Sequence, residues 1–418
     1  MYYLLFLLYL IFFCWLITKI RFFKKSGLNN RLLIGLFLIR VAVALVNAYI
    51  DLYHYPVSDV RTFYLKGLDE YHLLLHHPSE YFTNFFTTGQ PAGYGRFLES
   101  SHSFWNDTRD ITIAKMLAVF NIFSAQNFFI NDLFYNFFIF FGCIALYRVF
   151  IKIFPGYKWI VIAIVFLLPG TIYFTSSVHR DGLIFLSLGM IIYNIVAIKS
   201  NARVRFRHFF VILLFLLLIL FVRNYVLIVM IPALIAWLIA ERYPKHGLLI
   251  FISTYAVAGI LFFLTTLLPY QFNLPLHVAS RQSDFINIEN RGTSTIEISP
   301  LHPTFPGFIK NLPEAMEHSF LRPFITEHQN ILYIPVSLEL LAYEIIFIIF
   351  LVFRKKQSVL PIIYFCLFFS VTMFLIIGYT IPILGAIVRY RSVYFPFLLI
   401  AFCCYIDWER IAKIIHIK

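Results

Sequence analysis

Asp59 stands in the run Ser58-Asp59-Val60-Arg61-Thr62-Phe63-Tyr64, in a polar stretch that follows a long apolar one. A carboxylate at such a boundary can act as general base towards a hydroxyl, provided it reaches that proton through a hydrogen bond. Asp51, the first polar residue after the apolar run, is the alternative base. The plainer reading makes Asp59 a helix N-cap and Asp51 a terminator at the membrane interface. Four arginines form a second group: Arg180 in His179-Arg180-Asp181, Arg223 in Arg223-Asn224-Tyr225, and Arg389 and Arg391 around Tyr390. A guanidinium is planar, permanently charged and binds phosphate oxygens through paired hydrogen bonds. At a helix end it can equally be a snorkelling anchor. His179, Asp181, Tyr64 and Tyr390 flank these groups as candidate substrate contacts.

These residues must be positioned by elements that lie in lipid. Hydrophobic residues make up 61% of the 418, and mean hydropathy is +0.81. A soluble domain of that composition could not cover its surface. The net charge of +13 would suggest nucleic acid in a soluble protein. Here 20 of the 34 Lys and Arg fall in six short clusters between apolar runs: 19–31, 148–158, 199–207, 242–245, 354–356 and 410–418. Positive-inside logic puts those clusters in the cytoplasm and the acidic gaps outside, with membrane lipids as partners and no nucleic acid.

Apolar runs predict an all-α polytopic protein, a single membrane domain with 11 spans, at 2–18, 32–50, 131–150, 159–175, 182–198, 209–222, 225–240, 247–268, 331–353, 358–380 and 392–406. The N-terminus would lie outside, the C-terminus inside, and two long extracytoplasmic loops would cover about 51–130 and 269–330. Residues 113–129 are expected to form a helix in the outer interface, because a span there would invert the later loops. The first run carries its charges after its apolar core, which reads as a retained span instead of a signal peptide.

The runs around Arg223 reach only about 21–23 Å, against a hydrocarbon core of about 30 Å. The turn holding Arg223 should therefore sit below the outer surface, and Arg389–Arg391 and His179–Asp181 repeat the arrangement. Arg180, Arg223, Arg389 and Arg391 then become candidates for one shared phosphate pocket. Arg40, inside the second span, needs a partner, with Asp132, Glu339 and Glu344 as the options. His72 and His76 share a helical face and could take a divalent cation with Asp69 or Glu80, but without HExxH spacing no metal or other cofactor is expected. Cys14, Cys143, Cys366, Cys403 and Cys404 all lie in apolar runs, as packing residues do.

This layout resembles the GT-C superfamily of integral-membrane glycosyltransferases. The resemblance rests on Asp59 in SDVRTFY, the helix at 113–129, and Arg223, Arg389 and Arg391. The segments LPGTIYFTSSVHRDGLIF and RYRSVYFPF also look like those of bacterial polytopic proteins with a similar layout. An additional span before the loop-bearing one departs from the pattern. The resemblance implies a polyprenyl-phosphate-linked sugar donor, a glycan, lipid or protein acceptor, and a bacterial cytoplasmic membrane. It implies that Asp59 deprotonates the acceptor, the arginines hold the leaving phosphate, and Asp181 holds Arg180 or a sugar hydroxyl. An O-antigen type polymerase or ligase is the alternative, and a lipid-linked glycan transporter a further one. Arg281 and Gly292 reproduce the R-x10-G spacing of the polymerases, a match that 34 basic residues and 17 glycines would meet by chance.

Overall fold

The computed structural model describes residues 2–54, 58–85, 104–200, 206–287, 294–327 and 333–414. Gly292, and Arg203, Arg205 and Lys418 of the basic clusters, lie outside the described residues. Among those described there is no strand, only the isolated bridges Thr295–Ile383 and Arg354–Ile406. Eight helices are long and apolar enough to cross a membrane, or up to ten if each of two bent pairs is one span. The chain is therefore an all-α integral membrane protein. The difference from the expected 11 lies at 206–242, a stretch that counts once although two helices meet within it at a kink. Arg223 is the residue out of helical geometry there (φ −155°, ψ 82°), and the two apolar runs read from the sequence, 209–222 and 225–240, lie on either side of it.

The chain clusters into two compact units that meet in sequence at Asn224 and Tyr225. The first holds α1 (Tyr2–Lys19), α2 (Arg21–Lys24), α3 (Asn30–Tyr53), α4 (Asp59–His76), α5 (Pro78–Thr83), α6 (Phe104–Ser124) and α7 (Phe128–Ile153). It continues through α8 (Lys158–Phe166), α9 (Pro169–Ser176), α10 (Arg180–Ser200) and the first half of α11 (Phe206–Arg242). Its spine is α7, of whose most apolar stretch 78% is buried, because the helix is apolar on every side.

Helices α7 and α10 cross closely at two glycines. A Cβ on Gly142 would lie 2.5 Å from the Leu186 Cα, and one on Gly189 2.6 Å from the Gly142 oxygen. In lipid such contacts depend on fit, since the surrounding tails are as apolar as the helix faces. Gly142→Leu should therefore lower the thermal midpoint of the solubilised protein sharply or prevent its recovery folded. A wild-type melt would show that the crossing carries little stability.

The helix expected at 113–129 occupies 104–124 instead. Ala125 and Gln126 (φ 50° and 62°) end it in the left-handed region, and the Asn127 side chain caps α7 by accepting from the Ile130 amide at 3.2 Å. Residues 128–129 thus open the next helix. α6 lies along α4, where a Cβ on Gly67 would come within 2.7 Å of the Leu117 Cβ.

The second unit holds the rest of α11, then α12 (Gly247–Leu264), α13 (Leu274–Ile286), α14 (Phe305–Met316), α15 (Tyr333–Val352), α16 (Pro361–Thr380), α17 (Leu384–Ser392), α18 (Phe395–Cys403) and α19 (Trp408–Ile414). The described part of 269–330 is packed on α16. The Gln282 amide donates to the Tyr379 and Ser299 oxygens (2.9 and 3.1 Å) and accepts from the Leu301 amide (2.8 Å). The bent pairs are α8 with the preceding 3-10 turn against α9 (48°) and α17 against α18 (59°).

Candidate functional site

The site in the first unit begins with a cap. Ser58, not Asp59, caps α4, its Oγ accepting from the Arg61 amide at 3.2 Å. Asp59 becomes the first helical residue, and its carboxylate is left for longer-range contacts. Residues 59, 63, 66 and 70 then fall on one face of α4. Asp59 Oδ2 lies 3.3 Å from His179 Nε2. The Phe63 ring stands edge-on to the His179 ring at 5.8 Å and carries the Arg180 guanidinium 4.9 Å from its centroid. Lys66 Nζ reaches Asp110 Oδ2 at 2.9 Å, and Glu70 binds Lys115 at 3.1 Å.

The opposite wall is the break between α9 and α10. Backbone that leaves the helix at spanning depth must find partners within the protein. Asn47 of α3 donates to the Tyr173 oxygen (2.9 Å), and Arg40 donates to the Thr175 oxygen and to Thr175 Oγ1 (3.1 Å). From α7, Asn136 donates to the Ser176 oxygen (2.6 Å), Tyr135 to the His179 oxygen, and Asp132 accepts from the Val178 amide (3.0 Å). Arg40 therefore binds a carbonyl and a hydroxyl, not Asp132, Glu339 or Glu344 as the sequence suggested. The orphan carbonyls of a helix end supply the partner that a count of carboxylates overlooks. Gly182 completes the fit, since a Cβ there would run into the Tyr135 hydroxyl.

Held in this way, His179, Arg180 and Asp181 join two clusters of charge. In the first, His179 Nδ1 lies 2.6 Å from Asp181 Oδ2, and Arg223 Nη2 lies 2.8 Å from Asp181 Oδ1. The Asp181 side chain is fully buried and that of Arg223 is 4% exposed, whereas Asp59 is 46% exposed. The row Asp59–His179–Asp181–Arg223 thus runs from a reachable carboxylate to a buried ion pair. In the second cluster Arg180 binds Asp110, which also receives Lys66 and, at 3.5 Å, Arg109 Nε. Three cations surround one carboxylate.

Burial pushes the Asp110 carboxyl up, but Arg180, Lys66 and Arg109 outweigh it and hold the group below the usual carboxylate range. A lowered folded-state pKa gives stability that is full above the unfolded value, about 4, and is lost as pH falls through the folded one. Wild-type protein should therefore lose thermal stability below about pH 4 more steeply than Asp110→Asn. Parallel melting curves across that range would refute the contribution of this cluster.

The remaining candidates fall elsewhere. Asp51 closes α3, where its charge acts on Asp132. Tyr64 Oη donates to the Gln126 oxygen at 2.9 Å and its ring packs edge-on to Phe128, tying α4 to the turn before α7. Arg389, Tyr390 and Arg391 belong to the second unit, so the four arginines divide two and two between the units. Arg391 is buried, donates to the Ser319 oxygen at 2.9 Å and lies in the field of Glu339, Tyr343 and Glu344 of α15. Arg389 Nη2 lies 3.3 Å from Tyr390 Oη, with its guanidinium 5.0 Å from that ring. Among the described residues no three His, Cys, Asp or Glu side chains are placed to hold a metal ion. The sequence reading missed Phe63, Lys66 and Asp110. The first two stand four and seven residues after Asp59, a helical spacing that could have revealed them.

Comparison of the chain with protein-family models, curated proteins and solved structures found no match in any of the three.

Proposed function

We propose that this protein is a membrane glycosyltransferase, moving a sugar from a polyprenyl-phosphate-linked donor to an acceptor at the extracytoplasmic side of a bacterial cytoplasmic membrane. One observation carries the reading: a half-exposed carboxylate, Asp59, stands against a buried row of charges drawn from residues 120 and more positions away. Burying charge is expensive, and in a membrane protein ionisable groups at depth are functional by default. Asp59 can accept the proton of an acceptor hydroxyl as its oxygen attacks the anomeric carbon. The bond to phosphate breaks with inversion, and negative charge grows on the leaving oxygen. Prepositioned cations in a water-poor site stabilise such charge more than solvent does. Arg180, with Lys66 and Arg109 beside it, offers that charge in the first unit.

Arg389 and Arg391 offer the same chemistry but are engaged by groups of their own unit, and no step is assigned to them. The sidedness follows from the six basic clusters, which share one face only if the chain returns between 199–207 and 242–245. The test is transfer of radiolabelled sugar from a polyprenyl-phosphate donor by the purified protein in liposomes. Failure of the wild-type protein to transfer from polyprenyl monophosphate and diphosphate donors alike would overturn the reading.

A further inference from the structure

Asp132 and Asn136, one turn apart on α7, both reach the break between α9 and α10. Asp132 Oδ1 accepts from the Val178 amide at 3.0 Å. Asn136 Nδ2 donates to the Ser176 oxygen at 2.6 Å and to the Asp132 main-chain oxygen at 2.8 Å. Two carbonyls on that nitrogen fix which way the amide points, so Asn136 Oδ1 faces elsewhere. Ser177 stands between the two contacted residues, as the C-cap of α9. Each of the three side chains carries a buried oxygen with no hydrogen-bond partner among the described residues: Asp132 Oδ2, Asn136 Oδ1 and Ser177 Oγ. Asp132 and Asn136 are fully buried, and Ser177 is 2% exposed.

Buried polar atoms are nearly always satisfied, and a buried carboxylate needs a counter-charge. Asp132 makes no ion pair among the described residues. Arg40 reaches the same break, but its guanidinium is engaged by Thr175 and Cys143. Asp51, partly exposed at the end of α3, adds a second negative charge that acts on Asp132. The C-terminal end of α9, where Ser176 and Ser177 lie, is also the negative end of that helix. From these oxygens and this charge we propose that Asp132, Asn136 and Ser177 hold a hard cation, sodium or calcium, at the break. A carboxylate, an amide oxygen and a hydroxyl suit such an ion, and interrupted membrane helices bind cations at their ends and unwound backbone. A buried water could serve the amide and hydroxyl oxygens but would leave the charge uncompensated. Only Asp132 is of the His, Cys, Asp and Glu kinds, so the lack of a three-member group of those types does not bear on this set. The ion braces the backbone that leads directly into His179, Arg180 and Asp181. This inference stands apart from sugar transfer.

The experiment is thermal melting of the full chain in nanodiscs of uncharged lipid. The buffer is choline chloride with chelator, then sodium chloride or calcium chloride is titrated in at constant ionic strength. Wild type is expected to gain a saturable rise in midpoint with at least one of the two ions, about 2–5 °C at a hundredfold excess over Kd. Which ion acts gives the charge of the ligand. Asp132→Asn should melt at the same temperature with and without the ion. Ser177→Ala, which gives up only a hydroxyl without a hydrogen-bond partner, should keep the rise but need about tenfold more ion or above. That variant carries the test if Asp132→Asn is not recovered folded. A wild-type midpoint indifferent to both ions would overturn the proposal and leave a proton or a water on Asp132. So would a rise of the same size at the same concentration in both variants, which would place the ion elsewhere.

Discussion

Asp59→Asn is expected to lower sugar transfer by about 10²–10⁴-fold, the range over which a positioned general base acts. The argument begins at the cap: because Ser58 satisfies the Arg61 amide, the Asp59 carboxylate has no capping duty for Asn to inherit. Asn keeps the shape and loses the basicity, so insertion, yield and melting temperature should stay close to wild type. Asp59→Glu moves the carboxylate outward by one methylene and should retain a measurable fraction of activity. Transfer assays on the two variants in liposomes, beside a melting curve for each, separate these outcomes. Full activity in Asp59→Asn would remove this residue from the chemistry.

The second large effect concerns stability. Arg223→Ala strips the buried Asp181 carboxylate of its 2.8 Å partner. Removing one member of a buried ion pair typically destabilises by about 3–5 kcal/mol, because the other charge stays uncompensated. The variant should melt well below wild type or be recovered in low yield. The pair can also be removed together: Asp181→Leu with Arg223→Met replaces both charges by apolar groups, a change that is often neutral or stabilising. The double variant is expected to regain most of the lost stability while remaining inactive. Thermal midpoints of the two singles and the double complete the cycle. Additive losses would mean that the two side chains do not act as a pair.

Much of the architecture could be read from apolar run lengths alone, because lipid allows few alternatives to a continuous helix. The reading failed where local backbone chemistry decides. Residues 113–129 look continuous, yet two left-handed residues and the Asn127 cap divide them. The runs around Arg223 read as two helices, and what divides them is a single residue out of helical geometry, Arg223 itself. At the site, His179, Arg180, Asp181 and Arg223 were visible because charge inside an apolar sequence is conspicuous. Asp110 was not, because it stands in a stretch where a carboxylate is unremarkable. Arg40 was seen but given the wrong partner: its acceptors are Thr175 atoms, and no sequence pattern advertises a carbonyl.

The break between α9 and α10 bears on how this region can move. Five peptide groups there are bound by Asn47, Arg40, Asn136, Asp132 and Tyr135. At a net stabilisation of about 1 kcal/mol each, straightening it would forfeit on the order of 5 kcal/mol. That leaves roughly one molecule in several thousand straightened at any moment. A carrier that rocks between inward and outward openings would need a looser joint at this point. A ligand that bound here would not have to order this joint first, and would keep the affinity that ordering a soft site consumes.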